Sequence, residues 1–161
     1  MKHIVCITSL LLLLISCHSE NQLTNVQREA IVDEVQKMTE KFFIDSDKKN
    51  IDAVISYLDT SSAFFWIFPP DSTYITRDEL VSALKDEISS SNKVSSKWDK
   101  MRIEPITSEL VYYQGIFHQI VRDTSGKETK FLGSESAIVI LRESGWKFLY
   151  GQTFYSPELI E

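Results

Sequence analysis

Apolar residues recur at helical spacing in the first half of the chain and at strand spacing in the second. Ile31, Val35, Met38 and Phe42 follow at steps of four, three and four, which predicts one face of a helix. Glu29, Asp33, Glu34, Lys37 and Glu40 lie on the opposite side, so the stripe must be laid on another element. Thr24 stands three residues before Gln27, the spacing of a capping box. A polar break is expected over Asp45–Asn50, with Asn50 capping a shorter stripe of Ile51, Val54, Ile55 and Leu58. Ala63–Phe68 reads as an aromatic strand that Pro69-Pro70 must end, Asp71-Ser72 as a turn, and Thr73–Ile75 as a short extended piece. Thr76 and Glu79 form a second capping box, ahead of a helix whose apolar face is Leu80, Leu84 and Ile88.

Five of the eight residues from Ser89 to Ser96 are serine, which predicts a loop. Alternating strands are then expected over Trp98–Thr107, Glu109–Arg122, Thr129–Arg142 and Trp146–Tyr155. Asp123–Lys127 has hairpin chemistry, with Gly126 available for positive φ, and Glu143-Ser144-Gly145 makes the next turn. Helices first and a strand meander afterwards predict an α+β domain, with the helices on one face of an antiparallel sheet. Long aromatic strands suit a sheet that curls, and a helix across a curled sheet encloses a cone with a natural cavity at its mouth.

The N-terminus reads differently. Met1-Lys2-His3 is a basic head, and Ile4–Ile15 is almost wholly apolar but short for a membrane span. Leu14-Ile15-Ser16-Cys17 resembles the lipobox of bacterial lipoproteins. The resemblance implies cleavage before Cys17 and acyl chains, palmitate among them, on that residue. Several such chains, at about 0.8 kcal/mol per buried methylene, make a stable anchor. The expected organisation is a signal peptide over 1–16, a lipidated Cys17 and polar tether over 17–24, and a folded domain over 25–161. The expected location is the bacterial cell envelope, with the membrane reached through the lipid and either membrane open.

Charge and cysteine content narrow the chemistry. The formal net charge of −6 and the lack of a basic patch argue against nucleic acid as a partner. The two cysteines are Cys6 and Cys17, so the folded part has no thiol for a nucleophile, a disulfide or a zinc site. With His118 the lone histidine of the domain, a transition-metal site is not expected, and nothing points to a cofactor.

Three stretches resemble the SnoaL-like branch of the nuclear transport factor 2-like superfamily. These are FFIDSDKKNIDAVISYL (Phe42–Leu58), FPPDSTYITRDELVSAL (Phe68–Leu84) and GWKFLYGQTFYS (Gly145–Ser156). Their order and spacing cover most of the chain from about Val26 to Ser156. The resemblance implies a cone-shaped, cystatin-like α+β roll, a curved antiparallel sheet wrapped around N-terminal helices, often dimeric through the outer sheet face. It implies no single activity, because one fold hosts isomerases, dehydratases and binding domains alike. Related enzymes commonly carry histidines late in the last strand, where this chain has Tyr150 and Gln152. Neither is a proton acceptor near neutral pH.

Two groups remain as candidate acids or bases. Glu135 shares strand parity with Phe131, Ala137 and Val139, and a carboxylate on an apolar face invites a raised pKa. Both faces of that strand are apolar, however, so parity alone does not place Glu135 inside, and the plainer reading is a Glu near the solvated end of the strand or paired with Arg102 or Arg122. His118 shares a face with Tyr112, Gln114, Ile116 and Ile120, and a packed or rim histidine is its plainer reading. Asp45, Asp47, Asp52 and Asp59 sit at helix ends, where acids commonly cap. Trp66, Tyr112, Tyr150 and Gln152 are the expected ligand-binding residues, with Trp146, Phe148, Tyr150 and Gln152 expected on one strand face.

The preferred expectation is thus a lipid-anchored, non-catalytic domain that binds a small apolar or aromatic ligand or acts as an accessory. An isomerase or dehydratase using Glu135 or His118 as base and Tyr150 as donor is the alternative. A third reading is an interaction module working through the outer sheet face, as a homodimer or with another protein.

Overall fold

The computed structural model describes residues 22–69 and 73–157. The expected leader, Cys17, the tether up to residue 21 and the Asp71–Ser72 turn lie outside the described residues. The described elements are helices α1 (Asn25–Asp47), α2 (Ile51–Ser56) and α3 (Arg77–Ser90), and strands β1 (Phe65–Ile67), β2 (Tyr74–Ile75), β3 (Ser91–Pro105), β4 (Leu110–Asp123), β5 (Glu128–Arg142) and β6 (Gly145–Pro157).

Local signals set the helix starts. Thr24 Oγ1 accepts from the Gln27 N–H at 3.3 Å, and Gln27 Oε1 accepts from the Thr24 N–H at 2.9 Å. The Thr76–Glu79 box at the start of α3 closes in the same way, and Asn50 caps α2 through the Ala53 N–H. The expected stripe of α1 is buried at Ile31, Val35 and Met38, with Phe43 rather than Phe42 buried beyond them.

Two expected breaks are regular structure instead. α1 runs on to Asp47, through the first part of the expected polar break. The reason is that Asp45 is not solvated. Its buried carboxylate accepts from Lys41 Nζ one turn back at 2.8 Å and from the Tyr57 hydroxyl at 2.9 Å. The helix stops where Lys49 takes a left-handed φ of 58°. The expected Ser-rich loop is absent too, because α3 reaches Ser90 and β3 starts at Ser91. Ser89 and Ser90 donate to the carbonyls of Asp86 and Glu87 and so stay within the helical turn. From Lys93 to Trp98 the strand is paired in register with β4. The Ser96 N–H also points at the Asp47 carboxylate, at 3.1 and 3.2 Å from its two oxygens. Tertiary pairing overrides a composition that locally favours a loop.

The six strands form one sheet in the order β2-β1-β6-β5-β4-β3. β1 lies parallel to β6, and the other neighbours are antiparallel. α1 crosses the concave face. Phe43 stacks on Trp98 at 4.7 Å between ring centroids, and Phe42 meets Phe148 edge-on at 5.1 Å. Curvature demands room on that face. A Cβ on Gly133 would lie 2.1 Å from the Phe117 ring, so only glycine lets Phe117 lie over β5.

Two bulges decide which side chains enter the cone. In β3, Trp98 faces Phe117 and Lys100 faces Ile116, leaving Asp99 unmatched. In β6, Phe148 faces Val139 and Tyr150 faces Ile138, leaving Leu149 unmatched. One extra residue reverses the in-out alternation beyond it.

Candidate functional site

The bulge at Leu149 splits the row expected on one face of β6. Trp146 and Phe148 are buried against the core, whereas Tyr150 and Gln152 emerge on the outer face. Thr153 takes the inward position instead and is buried at 3% exposure. Tyr150 stacks flat on Phe65 at 5.1 Å, and Tyr112 donates to Gln114 Oε1 at 2.9 Å, both on the outer face. Of the four expected ligand-binding residues, Trp66 alone lines the cone.

The two acid-base candidates part in the same manner. His118 is exposed on the outer face and its Nδ1 meets the carboxylate of Asp99, the bulged residue opposite. Glu135 is directed inward, in register between Gly115 on β4 and Thr153 on β6. It is paired to neither Arg102 nor Arg122. Arg122 contacts Glu128, and Arg102 approaches Glu104.

Glu135 sits within a hydrogen-bonded relay across four strands, β1, β6, β5 and β4. The Tyr113 hydroxyl donates to Oε1, and the Thr153 hydroxyl donates to Oε2 at 2.8 Å. Trp66 Nε1 donates to Thr153 Oγ1 at 2.9 Å. An indole N–H can only donate, so the Thr153 oxygen accepts from it and its own proton is sent to Glu135. The relay therefore has a fixed direction and ends on the carboxylate. Burial nevertheless raises the Glu135 pKa, because removal of water outweighs the two donors. Burial and the adjacent Glu135 also push the fully buried Tyr113 phenol far up, so it stays a donor.

A cavity of about 100 Å³ opens beside this relay. Phe42, Trp66, Phe68, Leu84 and Phe148 form apolar wall, with Glu135 and Thr153 among the polar groups that line it. Glu87, Ser96, Gln119 and Tyr155 also line it and bring the wall out to α3 and the ends of β3, β4 and β6. Gln119 donates to Ser96 Oγ at 3.2 Å. Desolvation by neighbouring protein raises the pKa of Glu87 and of Tyr155, although each side chain keeps an exposed edge at the mouth. No lysine, arginine or histidine is among the described lining residues.

The opposite end is stitched shut. The Asp59 N–H donates to the Phe148 carbonyl and the Phe148 N–H to the Tyr57 carbonyl, both at 2.8 Å, which seats Leu58 against β6. The Asp59 carboxylate is gripped by Arg142 at 2.6 and 3.2 Å and accepts from the Ser61 N–H at 2.8 Å. Led by the Arg142 hydrogen bonds, these contacts hold its pKa down to about 2.

The same overall fold is found in known structures. A nuclear transport factor 2-like superfamily protein from Salmonella enterica aligns over 82% of this chain and 94% of its own, with a TM-score of 0.68 at 14% identity. The fold is that of the nuclear transport factor 2-like proteins. A protein described as a candidate scytalone dehydratase, from Novosphingobium aromaticivorans, shares the fold over 86% of this chain and 94% of its own (TM-score 0.74, 12% identity). So does a hexachlorocyclohexane dehydrochlorinase from Novosphingobium barchaimii, over 84% and 94% (TM-score 0.65, 15% identity). No protein-family model and no curated protein sequence matches the chain. At these identities the nuclear transport factor 2-like likeness concerns architecture, and the chemistry must be read from this chain's own residues.

Tyr113 and Thr153 are the functional residues that sequence reasoning missed. They lie 22 and 18 residues from Glu135 and meet it only through strand register. Thr153 could have been found by allowing for a bulge in GWKFLYGQTFYS, where Gly151 interrupts the aromatic run.

Proposed function

We propose that this domain binds a small, largely apolar molecule in the cone and does so without catalysis, while an acylated Cys17 tethers it to a bacterial membrane. The observation that carries the binding reading is the aromatic-walled cavity with a single inward carboxylate relay, an arrangement of apolar wall and few polar groups typical of ligand sites. Both oxygens of Glu135 are engaged by donors, which suits holding a ligand more than shuttling protons. The tether rests on the Leu14–Cys17 motif.

Ligand-observed NMR with a mixture of small apolar and aromatic molecules tests the cone. Binding that is lost in Leu84→Trp, which fills the cavity, is the expected result, and binding unchanged by that substitution would place the ligand elsewhere. Labelling with an alkyne palmitate analogue tests the tether. Label should appear on the native chain and vanish in Cys17→Ala, and equal labelling of both would end that part of the proposal.

The catalytic alternative retains Glu135 in the cavity but has His118 and Tyr150 on the opposite face of the sheet. Substrate turnover abolished by Glu135→Gln would favour it over simple binding. The interaction reading draws support from the exposed outer-face residues Ile116, Ile120, Leu132 and Phe154. Apolar side chains grouped on one sheet face commonly mark an interface. We propose a homodimer through this face. Sedimentation should show a dimer that Ile116→Lys with Phe154→Lys dissociates, and a monomer at every concentration would refute it.

A further inference from the structure

We infer that the ligand of the cone is a small organic cation, a protonated amine carried on a compact apolar body; this inference rests on the cone being the binding site. The walls and the charge balance of the cavity point the same way. Glu135 and Glu87 are the charged side chains among its described lining residues, and no basic residue is among them. Glu135 takes part in no ion pair among the described residues. Its two bonds come from neutral hydroxyls, that of Thr153 oriented by the Trp66 indole and that of Tyr113 donating directly, so both oxygens act as acceptors.

A carboxylate has about four acceptor sites, and the relay fills one on each oxygen. The remaining capacity faces a space with no counter-charge. Burying a carboxylate without a cation is costly, so a carboxylate held only by neutral donors favours whatever brings a positive charge with N–H donors. The walls complement this. Phe42, Trp66 and Phe148 present ring surface to the same cavity, and aromatic faces attract cations as well as apolar groups. An anionic ligand would meet two acids and no base. The volume, about 100 Å³, is on the scale of one small ring rather than a polycyclic molecule.

Three probes of nearly equal shape separate charge from fit: benzylamine, benzyl alcohol and benzoate. Each is titrated into the purified protein by calorimetry, with the Trp66 indole N–H resonance as the reporter of cavity occupancy. Benzylamine should bind at least about tenfold more tightly than benzyl alcohol, as a charge-assisted hydrogen bond predicts, and benzoate most weakly. In Glu135→Gln the amine should fall to the level of the alcohol, while the alcohol changes little.

Benzyl alcohol or benzoate binding as tightly as the amine would overturn the cation assignment and leave the cone as a binding site. Amine binding undiminished in Glu135→Gln would remove Glu135 as the counter-charge. If none of the three shifts the Trp66 resonance, the cone reading itself falls along with this inference. The native-protein series decides the matter even if Glu135→Gln fails to fold.

Discussion

Asp59 offers the sharpest link between a titrating group and the shape of the cone. It is 3% exposed, and its pKa falls from an ordinary 3.8 to about 2 through Arg142 and the Ser61 N–H. That difference, at about 1.36 kcal/mol per unit, corresponds to about 2.4 kcal/mol of stability. The Arg142 side chain is 41% exposed, so water replaces part of what it loses, and about 1–2 kcal/mol is the fairer expectation for Asp59→Asn. The sign follows from the depressed pKa. The folded state binds the proton less readily than the unfolded one, so the stabilisation is complete above about pH 4 and drains away towards about pH 2. Urea unfolding of the native chain and Asp59→Asn should differ by this amount at neutral pH, and roughly half of the gap should close by about pH 3. A gap that stays constant between those pH values, or is absent at neutral pH, would refute the reasoning. Because Asp59 adjoins Leu58 and the Phe148 backbone, the variant should also weaken ligand binding at neutral pH.

Three further outcomes are expected. Gly133→Ala forces a methyl group to within 2.1 Å of the Phe117 ring and should cost about 1–3 kcal/mol in denaturant unfolding, with much of it recovered when Phe117→Leu is added. Tyr113→Phe removes a donor to Glu135 and so raises further a carboxyl that burial has already raised. A raised carboxyl stabilises the fold less as pH climbs from the unfolded value through the folded one, so the deficit of Tyr113→Phe should be larger at pH 8 than at pH 4 by thermal melting. Thr76→Ala loses the cap of α3 and should lower stability by about 1 kcal/mol, with reduced helicity by circular dichroism.

How far the sequence reached depended on the range of the interactions concerned. The Thr24–Gln27 and Thr76–Glu79 boxes span three residues and formed where read. Gly126 and Gly145 adopt φ of 89° and 96° at the two turns assigned to them. Helix starts, hairpin positions and the α+β order were therefore legible, because each is set by neighbours along the chain. The Ser-rich stretch was misread because its partners, Asp47 and β4, are remote in sequence.

What tertiary structure alone decided is the content of the cone. Alternation says that two sets of side chains face opposite ways, never which set is inside. The unmatched residues Asp99 and Leu149 then reverse the choice partway along β3 and β6. A single inserted residue carries Tyr150 and Gln152 to the outer face and brings Thr153 under Trp66. Glu135 became the centre of the site only when register set Tyr113 on one side of it and Thr153 on the other. Side-chain pattern along the chain determined the elements, and strand register, which sums pairings across the whole sheet, determined which of their residues can meet a ligand.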